Sequence, residues 1–229
     1  MKLKYSSLRE FVSIVLREEA VSVKQARKDS LAMRVSSKGP VCTYMLYDIN
    51  GLIDLLMNSK PGKVYSFPEM AKFVYGFISV NRGSDNPYTA AEVRLSAAVD
   101  GYGPLMHDIA MSEEGKIFAD RSSVSPEEKK VWNFYRKNRS DVRSHLIDDI
   151  TDTKTPPTYD DGFVWPGDEK NSLNFVYSKS HPTNFKTLVN NHESNLPSLR
   201  KAWRRLYGDP LTSKDFDHLG QAFFETKYL

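Results

Sequence analysis

The segment from residue 91 to residue 111 constrains the fold of this chain more than any other part of the sequence. Apolar and polar residues alternate through it, which is the period of a strand with one buried face. The apolar positions are Val93, Leu95, Ala97 and Val99, and the polar ones are Glu92, Arg94 and Ser96. Asp100–Pro104 then breaks the pattern, and apolar residues at helical spacing follow through residue 111. Strand, tight turn and helix in direct succession predict an α/β fold, with a mixed central sheet and flanking helices.

Further strand and helix signals place an α/β core at residues 41–180. Runs of strand-forming residues occur at four places, which are Val41–Tyr47, Val74–Val80, Ile117–Ala119 and Leu173–Tyr177. Ser125 followed by Pro126 is a strong helix start, since Ser caps the first turn and Pro fits its first position. Asp48 or Asn50 caps a second, shorter helix.

Residues 1–40 predict a basic, amphipathic helical arm. Nine basic and four acidic residues give this segment a net charge of +5, within a chain whose net charge is +3. Ser7 and Glu10 form a capping box ahead of an apolar stripe. The stripe docks either on the chain's own core or on a partner, and its candidate partner-binding residues are Leu8, Phe11, Val12 and Val15.

Residues 181–229 predict a helical extension that carries a basic run. The run spans residues 200–205 and has Trp203 embedded in it. Two interpretations stay open: nucleic-acid binding, or a docked helix with a solvated basic face. In the second interpretation Arg204 and Arg205 meet an acidic partner, such as residues 141–170 of another copy, which carry a net charge of −5.

The glycine-rich turn is the strongest candidate for a ligand site. Gly101 and Gly103 let backbone amides approach a ligand, and the helix that follows offers unpaired N–H groups to an anion such as a pyrophosphate. The same glycines also make an ordinary tight turn. A complete dinucleotide fingerprint is absent from the sequence, because Met106 stands where its third glycine would be.

Several classes of protein are excluded or disfavoured by composition. The single cysteine, Cys42, excludes an internal disulfide and a multi-cysteine zinc site, and we interpret it as a core residue. Five scattered histidines lack metal-ligand spacing, so we expect no metal. Of these, His107 is interpreted as a helix-surface or capping residue. No run reaches the roughly 18 apolar residues of a membrane span, so we expect no membrane partner.

The segment 101–111 and the motifs that follow it resemble a family of tailed-bacteriophage proteins. Those motifs include Ala119-Asp120-Arg121, Val131-Trp132, and the run from Asn138 to Val142. The resemblance covers roughly residues 90–180. It implies a phage protein but carries no activity with it.

The order of these motifs is also similar to that of the GCN5-related N-acetyltransferases (GNAT). In that family a central strand runs into a glycine loop and a helix that hold the pyrophosphate of acetyl-coenzyme A. A short strand and a second helix follow, and a Tyr of that helix often protonates the leaving thiolate. The similarity implies that Val99, Gly101 and Gly103 hold the cofactor and that Tyr135 is the acid. The position three residues before the first glycine, Gln or Arg in that family, is Ala98.

Together these observations favour a bacteriophage virion structural protein, head- or connector-associated, built on a GNAT-like core. It would assemble through its terminal helices with other virion proteins or with itself, reside in the virion after passing through the host cytoplasm, and need no cofactor. The alternative is an active N-acetyltransferase that uses acetyl-coenzyme A. A third interpretation is an internal virion protein that binds nucleic acid through the basic arm.

Overall fold

A computed structural model describes most of the chain beyond residue 20. The described residues are 21–60, 62–83, 89–120, 124–147 and 171–228. The strands are β1 (Ala32–Lys38), β2 (Val41–Tyr47), β3 (Val74–Asn81), β4 (Ala91–Ala98), β5 (Ile117–Ala119), β6 (Val142–Leu146) and β7 (Phe175–Lys179). The helices are α1 (Val23–Lys28), α2 (Ile49–Met57), α3 (Phe67–Ala71), α4 (Gly103–Glu114), α5 (Pro126–Asn138), α6 (Lys186–Tyr207) and α7 (Ser213–Tyr228).

Within the described residues the strands form one mixed sheet in the order β1-β2-β3-β4-β5-β7-β6. The first four strands are antiparallel neighbours in chain order. β5 runs parallel to β4, with α4 as the crossover between them, and β7 lies antiparallel between β5 and β6. The predicted α/β class and mixed sheet are confirmed.

Helices cover both faces of the sheet. One core contains residues of α1, α4 and α5 and is centred on Met106, Ile109 and Trp132. The core of the opposite face contains residues of α2, α3, α6 and α7, among them Trp203 and Phe223. The sheet is therefore the middle layer of three, as expected when apolar residues of its strands are buried on both sides.

A β-bulge in β4 overturns the prediction that the apolar residues of this strand share one face. Ser79 of β3 pairs with Leu95, and the next residue, Val80, pairs with Val93, so Arg94 is the extra residue. The bulge reverses the alternation. Val93 packs into the core with α4, whereas Leu95 and Ala97 pack into the opposite core.

Two of the predicted segments, residues 1–40 and 181–229, contain elements that belong to the sheet or pack on it. Residues 32–38 lie inside the segment 1–40, for which the sequence predicts a helical arm, but they form β1 and pair with β2 along their whole length. The sheet thus begins inside the segment 1–40, and the capping box and apolar stripe of that segment lie outside the described residues. The predicted helices of residues 181–229 are present, but α6 and α7 form part of a layer on the sheet.

Two predicted helix starts are confirmed. The Ser125 hydroxyl accepts a hydrogen bond from the Glu128 N–H at 3.1 Å, with Pro126 at the first helical position. The Asp48 carboxylate accepts one from the Gly51 N–H at 2.8 Å and caps α2. Each of these caps satisfies an N–H group that has no partner inside its helix.

Candidate ligand-binding cavity

The sheet is open between the second half of β4 and β5. The two strands pair only from Ala91 to Val93, opposite Ile117 to Ala119. β4 then continues to Ala98. Among the described residues, no strand pairs with this last part of β4 on the β5 side. Where a strand inside a sheet loses its neighbour on one side, a wedge-shaped opening is left in the sheet. The backbone of the remaining strand forms one wall of this wedge.

A cavity of about 620 Å³ lies at this wedge. Its walls are the end of β4, the glycine turn, the start of α4, the first turns of α5 and the last turn of α7. The lining residues are Ser96, Ala97, Ala98, Val99, Asp100, Gly101, Gly103, Pro104, Glu127, Glu128, Lys130, Val131 and Lys227. Because α4 and α5 lie on one face of the sheet and α7 on the other, residues of both layers line the cavity. Its volume is within the range usual for small-molecule sites.

The predicted cofactor residues Val99, Gly101 and Gly103 all line this cavity. Gly101 has φ of +83°, the left-handed conformation that glycine adopts without strain. The turn is closed by a hydrogen bond from the Tyr102 N–H to the Val99 carbonyl oxygen, at 2.9 Å. The Val21 N–H donates a second hydrogen bond, to the Gly101 carbonyl oxygen, at 3.0 Å. α4 begins at Gly103, so the N–H groups of its first turn lie at the cavity.

The cavity wall carries both negatively and positively charged side chains. Asp100, Glu127 and Glu128 are acidic, and Lys130 and Lys227 are basic. Lys130 comes from α5 and Lys227 from α7, on opposite faces of the sheet. An anionic ligand would therefore depend on the two lysines and on backbone N–H groups, against the charge of the acids.

His107 lies behind the cavity wall, between α4 and α5, and is completely buried. The interpretation of this residue as a surface or capping residue is therefore wrong. Its Nδ1 lies 3.0 Å from the Gly103 carbonyl oxygen, and its Nε2 makes no hydrogen bond among the described residues. The nearest ion-pair atom is Glu128 Oε1, at 3.8 Å from Nε2. The sequence indicates the burial of His107 only weakly. Most of its sequence neighbours are apolar, which favours burial, but the histidine side chain is polar, which favours exposure.

Tyr135, the predicted general acid, is buried and does not line the cavity. Its hydroxyl oxygen lies 2.6 Å from the Pro104 carbonyl oxygen and 2.8 Å from Asp108 Oδ1. A phenol has one proton, so this proton serves two acceptors. Burial raises the pKa of the Tyr135 phenol well above its ordinary value. In this arrangement the hydroxyl ties α5 to the first turn of α4.

A cluster of charged residues continues from Tyr135, and the sequence analysis missed it. Asp108 Oδ2 accepts hydrogen bonds from Arg139 and Lys179, each at 3.0 Å. Asp141 binds the same two cations, and the Arg139 guanidinium holds the pKa of the Asp141 carboxyl well below its ordinary value. Asp108 and Lys179 lie 31 and 40 positions from Arg139, so only the packing of separate elements brings them to Arg139 and its sequence neighbour Asp141.

The structure separates the two predicted partner-binding arginines. Arg205 donates to the carbonyl oxygens of Leu56, Met57 and Ser59, at 2.8–3.2 Å, and so covers the carboxyl end of α2. Arg204 is exposed. The other predicted partner-binding residues, Leu8, Phe11, Val12 and Val15, lie outside the described residues.

The described residues contain neither a candidate metal site nor a candidate membrane-spanning helix. No three His, Cys, Asp or Glu side chains in this part of the chain are grouped so that they could hold a metal ion. No helix among the same residues is long and apolar enough to cross a membrane. Glu92 and Arg94 form an ion pair with each other at 2.7 Å along β4.

Comparison of the chain with models of protein families, with curated proteins and with solved structures found no match.

Proposed function

We propose that this chain binds acetyl-coenzyme A in the cavity at the wedge, on a core of the N-acetyltransferase type. The observation that carries the proposal is the open edge of β4, which ends in the glycine turn and forms one wall of a cavity of suitable size. The chain order also supports it. β4, the turn, α4, β5 and α5 follow one another as the central strand, glycine loop, helix, short strand and second helix do in that family.

The chemistry of the ligand fits the walls of the cavity. The pantetheine arm of coenzyme A is a narrow chain with two amides, and a cavity wall that includes strand backbone is chemically suited to such a chain. The pyrophosphate is an anion, which the first turn of α4 at Gly103 suits. Lys130 and Lys227 supply positive charge for the phosphates.

In this proposal the residues of the chain bind and orient acetyl-coenzyme A. The reactive group, a thioester, belongs to the ligand. Transfer of its acetyl group to an amine requires a proton for the leaving thiolate. The Tyr135 proton is engaged with Pro104 and Asp108 and lies behind the cavity wall. The proposal therefore covers binding, and the catalytic role of Tyr135 stays a prediction.

Isothermal titration with acetyl-coenzyme A tests the proposal, with two matched variants at Gly103. A Cβ at this position would lie 3.4 Å from Val131 Cγ2, an ordinary contact, so both Gly103→Asp and Gly103→Asn are accommodated. The two side chains have nearly the same size but differ in charge. We expect Gly103→Asp to bind about tenfold more weakly than Gly103→Asn, because its carboxylate faces the pyrophosphate.

Two results would contradict this proposal. One is the absence of binding by the unmodified protein at millimolar acetyl-coenzyme A. The other is equal affinity of the two Gly103 variants, which would place the anion away from the start of α4.

The virion role remains a separate prediction. It depends on the family resemblance and on an apolar stripe outside the described residues. Peptide mass mapping of purified phage particles tests it, and absence of the chain from the particles would refute it. An acetyl-coenzyme A site and a place in the particle are compatible with each other.

A further inference from the structure

A second cavity, of about 380 Å³, lies near the β1 edge of the sheet, away from the wedge. The end of α1, the first turn of α2 and the amino half of α6 line it. Its volume is within the range of small-molecule sites. In contrast to the cavity at the wedge, none of the described residues that line it is acidic, and the one charged residue among them is Arg27.

The wall at the end of α1 has a serine at a position where helices usually have glycine. The Leu31 N–H donates to the Ala26 carbonyl oxygen at 3.0 Å, and the Ser30 N–H donates to the Arg27 carbonyl oxygen at 3.1 Å. These two hydrogen bonds define a Schellman motif, in which the residue at the position of Ser30 is left-handed. Ser30 has φ of +58°, which is strained for serine but not for glycine. What serine adds over glycine is a hydroxyl group, on a residue that lines the cavity.

Helix α6 holds this wall in place. The side-chain amide nitrogen of Asn191 donates to the carbonyl oxygens of Ser30 and Leu31, each at 3.0 Å. The Asn191 side-chain oxygen accepts a hydrogen bond from Asn195 Nδ2 at 2.8 Å, so the Asn191 amide is fixed in orientation. Leu31 and Leu188, which also line the cavity, are buried. The wall is therefore formed before any ligand arrives, which lowers the entropic cost of binding.

The other polar side chains of the lining have no hydrogen bond or ion pair to any described residue. They are the Arg27 guanidinium, the amides of Asn50 and Asn190, and the hydroxyls of Ser30, Thr187 and Ser194. The nearby Asp29 carboxylate is engaged elsewhere, since it accepts hydrogen bonds from Gln25 at 2.9 Å and from Tyr102 at 3.1 Å. Within the described chain, the charge of Arg27 is thus left for a ligand.

We propose that this cavity binds a sugar that carries an acidic group. Side-chain amides and hydroxyls offer both donors and acceptors, and the neighbouring hydroxyls of a sugar ring do the same. The Arg27 guanidinium supplies the positive charge and the forked donors that suit a carboxylate or a phosphate. The cavity is separate from the wedge, so the inference does not depend on the proposed function.

Nitrogen–proton correlation NMR of the full chain tests the inference, with glucuronate and glucose 6-phosphate as probes and glucose as their neutral control. We expect at least one acidic sugar, at up to about 20 mM, to shift the resonances of residues 27–31 and 187–194. Its affinity should be about tenfold higher than that of glucose. The two probes distinguish a carboxylate from a phosphate. Absence of shifts in these residues with both acidic sugars, or equal affinity for glucose, would overturn the inference.

Two variants of α1 with the same change in net charge test the role of Arg27. Arg27 and Lys28 are both exposed, but only Arg27 lines the cavity. We expect Arg27→Gln to bind the acidic sugar about tenfold more weakly, no better than glucose, and Lys28→Gln to bind it as the unmodified protein does. Equal losses in both variants would show a response to overall charge and would contradict the site.

Ser30→Gly separates a binding role of Ser30 from a structural one. Because glycine relieves the left-handed strain, the Tm of this variant should rise. Because the hydroxyl is lost, its affinity for the acidic sugar should fall about fivefold. A higher Tm with unchanged affinity would contradict the assignment of Ser30 to the site.

Discussion

Two neighbouring arginines of α6 have different roles, although the sequence shows them as one basic run. Arg205 binds three carbonyl oxygens at the end of α2, whereas Arg204, which is likewise exposed, makes no such contact among the described residues. The last carbonyls of a helix have no partner within it, so a cation there is favourable through both hydrogen bonding and the helix dipole. The sequence predicted the helix and its basic face, but not which arginine the fold uses.

Replacement of each arginine by methionine tests this difference. Met keeps an unbranched apolar chain and removes the guanidinium. We expect Arg205→Met to lower the free energy of unfolding by about 1–2 kcal/mol, allowing for the solvent exposure of these bonds. The matched control, Arg204→Met, should change it by less than about 0.5 kcal/mol. Urea denaturation measures both, and equal effects would show that Arg205 does not stabilise the end of α2.

His192 of α6 is half-buried against β2 and α7. Its Nδ1 lies 2.6 Å from the hydroxyl oxygen of Tyr47, and its ring packs edge-on against Phe216. Burial, together with the nearby charges of Arg34 and Arg200, lowers the pKa of His192 from 6.5 to about 4. His192 is therefore neutral in the folded protein at neutral pH.

The lowered pKa of His192 predicts a loss of stability in acid. Between pH 6.5 and about 4, the unfolded chain binds a proton at His192 that the folded chain does not, so the free energy of unfolding falls as the pH falls through this window. In His192→Gln this part of the loss should be missing, whereas the exposed control His181→Gln should behave as the unmodified protein. Thermal unfolding across the window measures the difference. Identical pH profiles for all three proteins would contradict the prediction.

At the scale of elements, β4 shows both what the sequence could predict and what it could not. The strand itself, the turn at Gly101 and the helix that begins at Gly103 follow from local patterns, and all three are present. The bulge at Arg94 arises from pairing with β3, and the wedge arises where β5 stops pairing with β4. Both depend on how two strands pair, so the sequence of β4 alone does not predict them.

The contact between α7 and the sheet depends on a glycine. A Cβ at Gly220 would lie 2.5 Å from Phe77 Cε2 and 2.6 Å from Cδ2, so the helix backbone packs directly on this ring of β3. The position of α7 bears on the proposed ligand site, since its last turn brings Lys227 to the cavity.

Gly220→Ala tests how closely α7 is packed. In an exposed helix this change stabilises by up to about 1 kcal/mol. Here we expect a loss of about 1–3 kcal/mol in the free energy of unfolding, because the methyl group overlaps the Phe77 ring. Gln221→Ala, at the neighbouring exposed position, should change it by less than about 0.5 kcal/mol. A neutral or stabilising Gly220→Ala would mean that α7 sits further from β3.

At the scale of the whole molecule, three layers converge on one opening in the sheet. α4 and α5 approach it from one face with their amino ends, and α7 approaches from the other face with its carboxyl end. Val99, Gly101 and Gly103, which the sequence predicts to hold a cofactor, all line this cavity, because they belong to one continuous turn. Their role in binding stays a prediction. The contributions of Lys130 and Lys227 could not be predicted, since their positions depend on the packing of separate elements.

The most direct test of the account is hydrogen–deuterium exchange of the full chain with and without acetyl-coenzyme A. Backbone amides that pair with the ligand or close around it should exchange more slowly when it is bound. We expect slower exchange at residues 95–106 and 126–131, the two stretches that contain most of the cavity-lining residues, and unchanged exchange over most of α6. No change at millimolar ligand, or a change confined to parts of the chain away from the wedge, would contradict it.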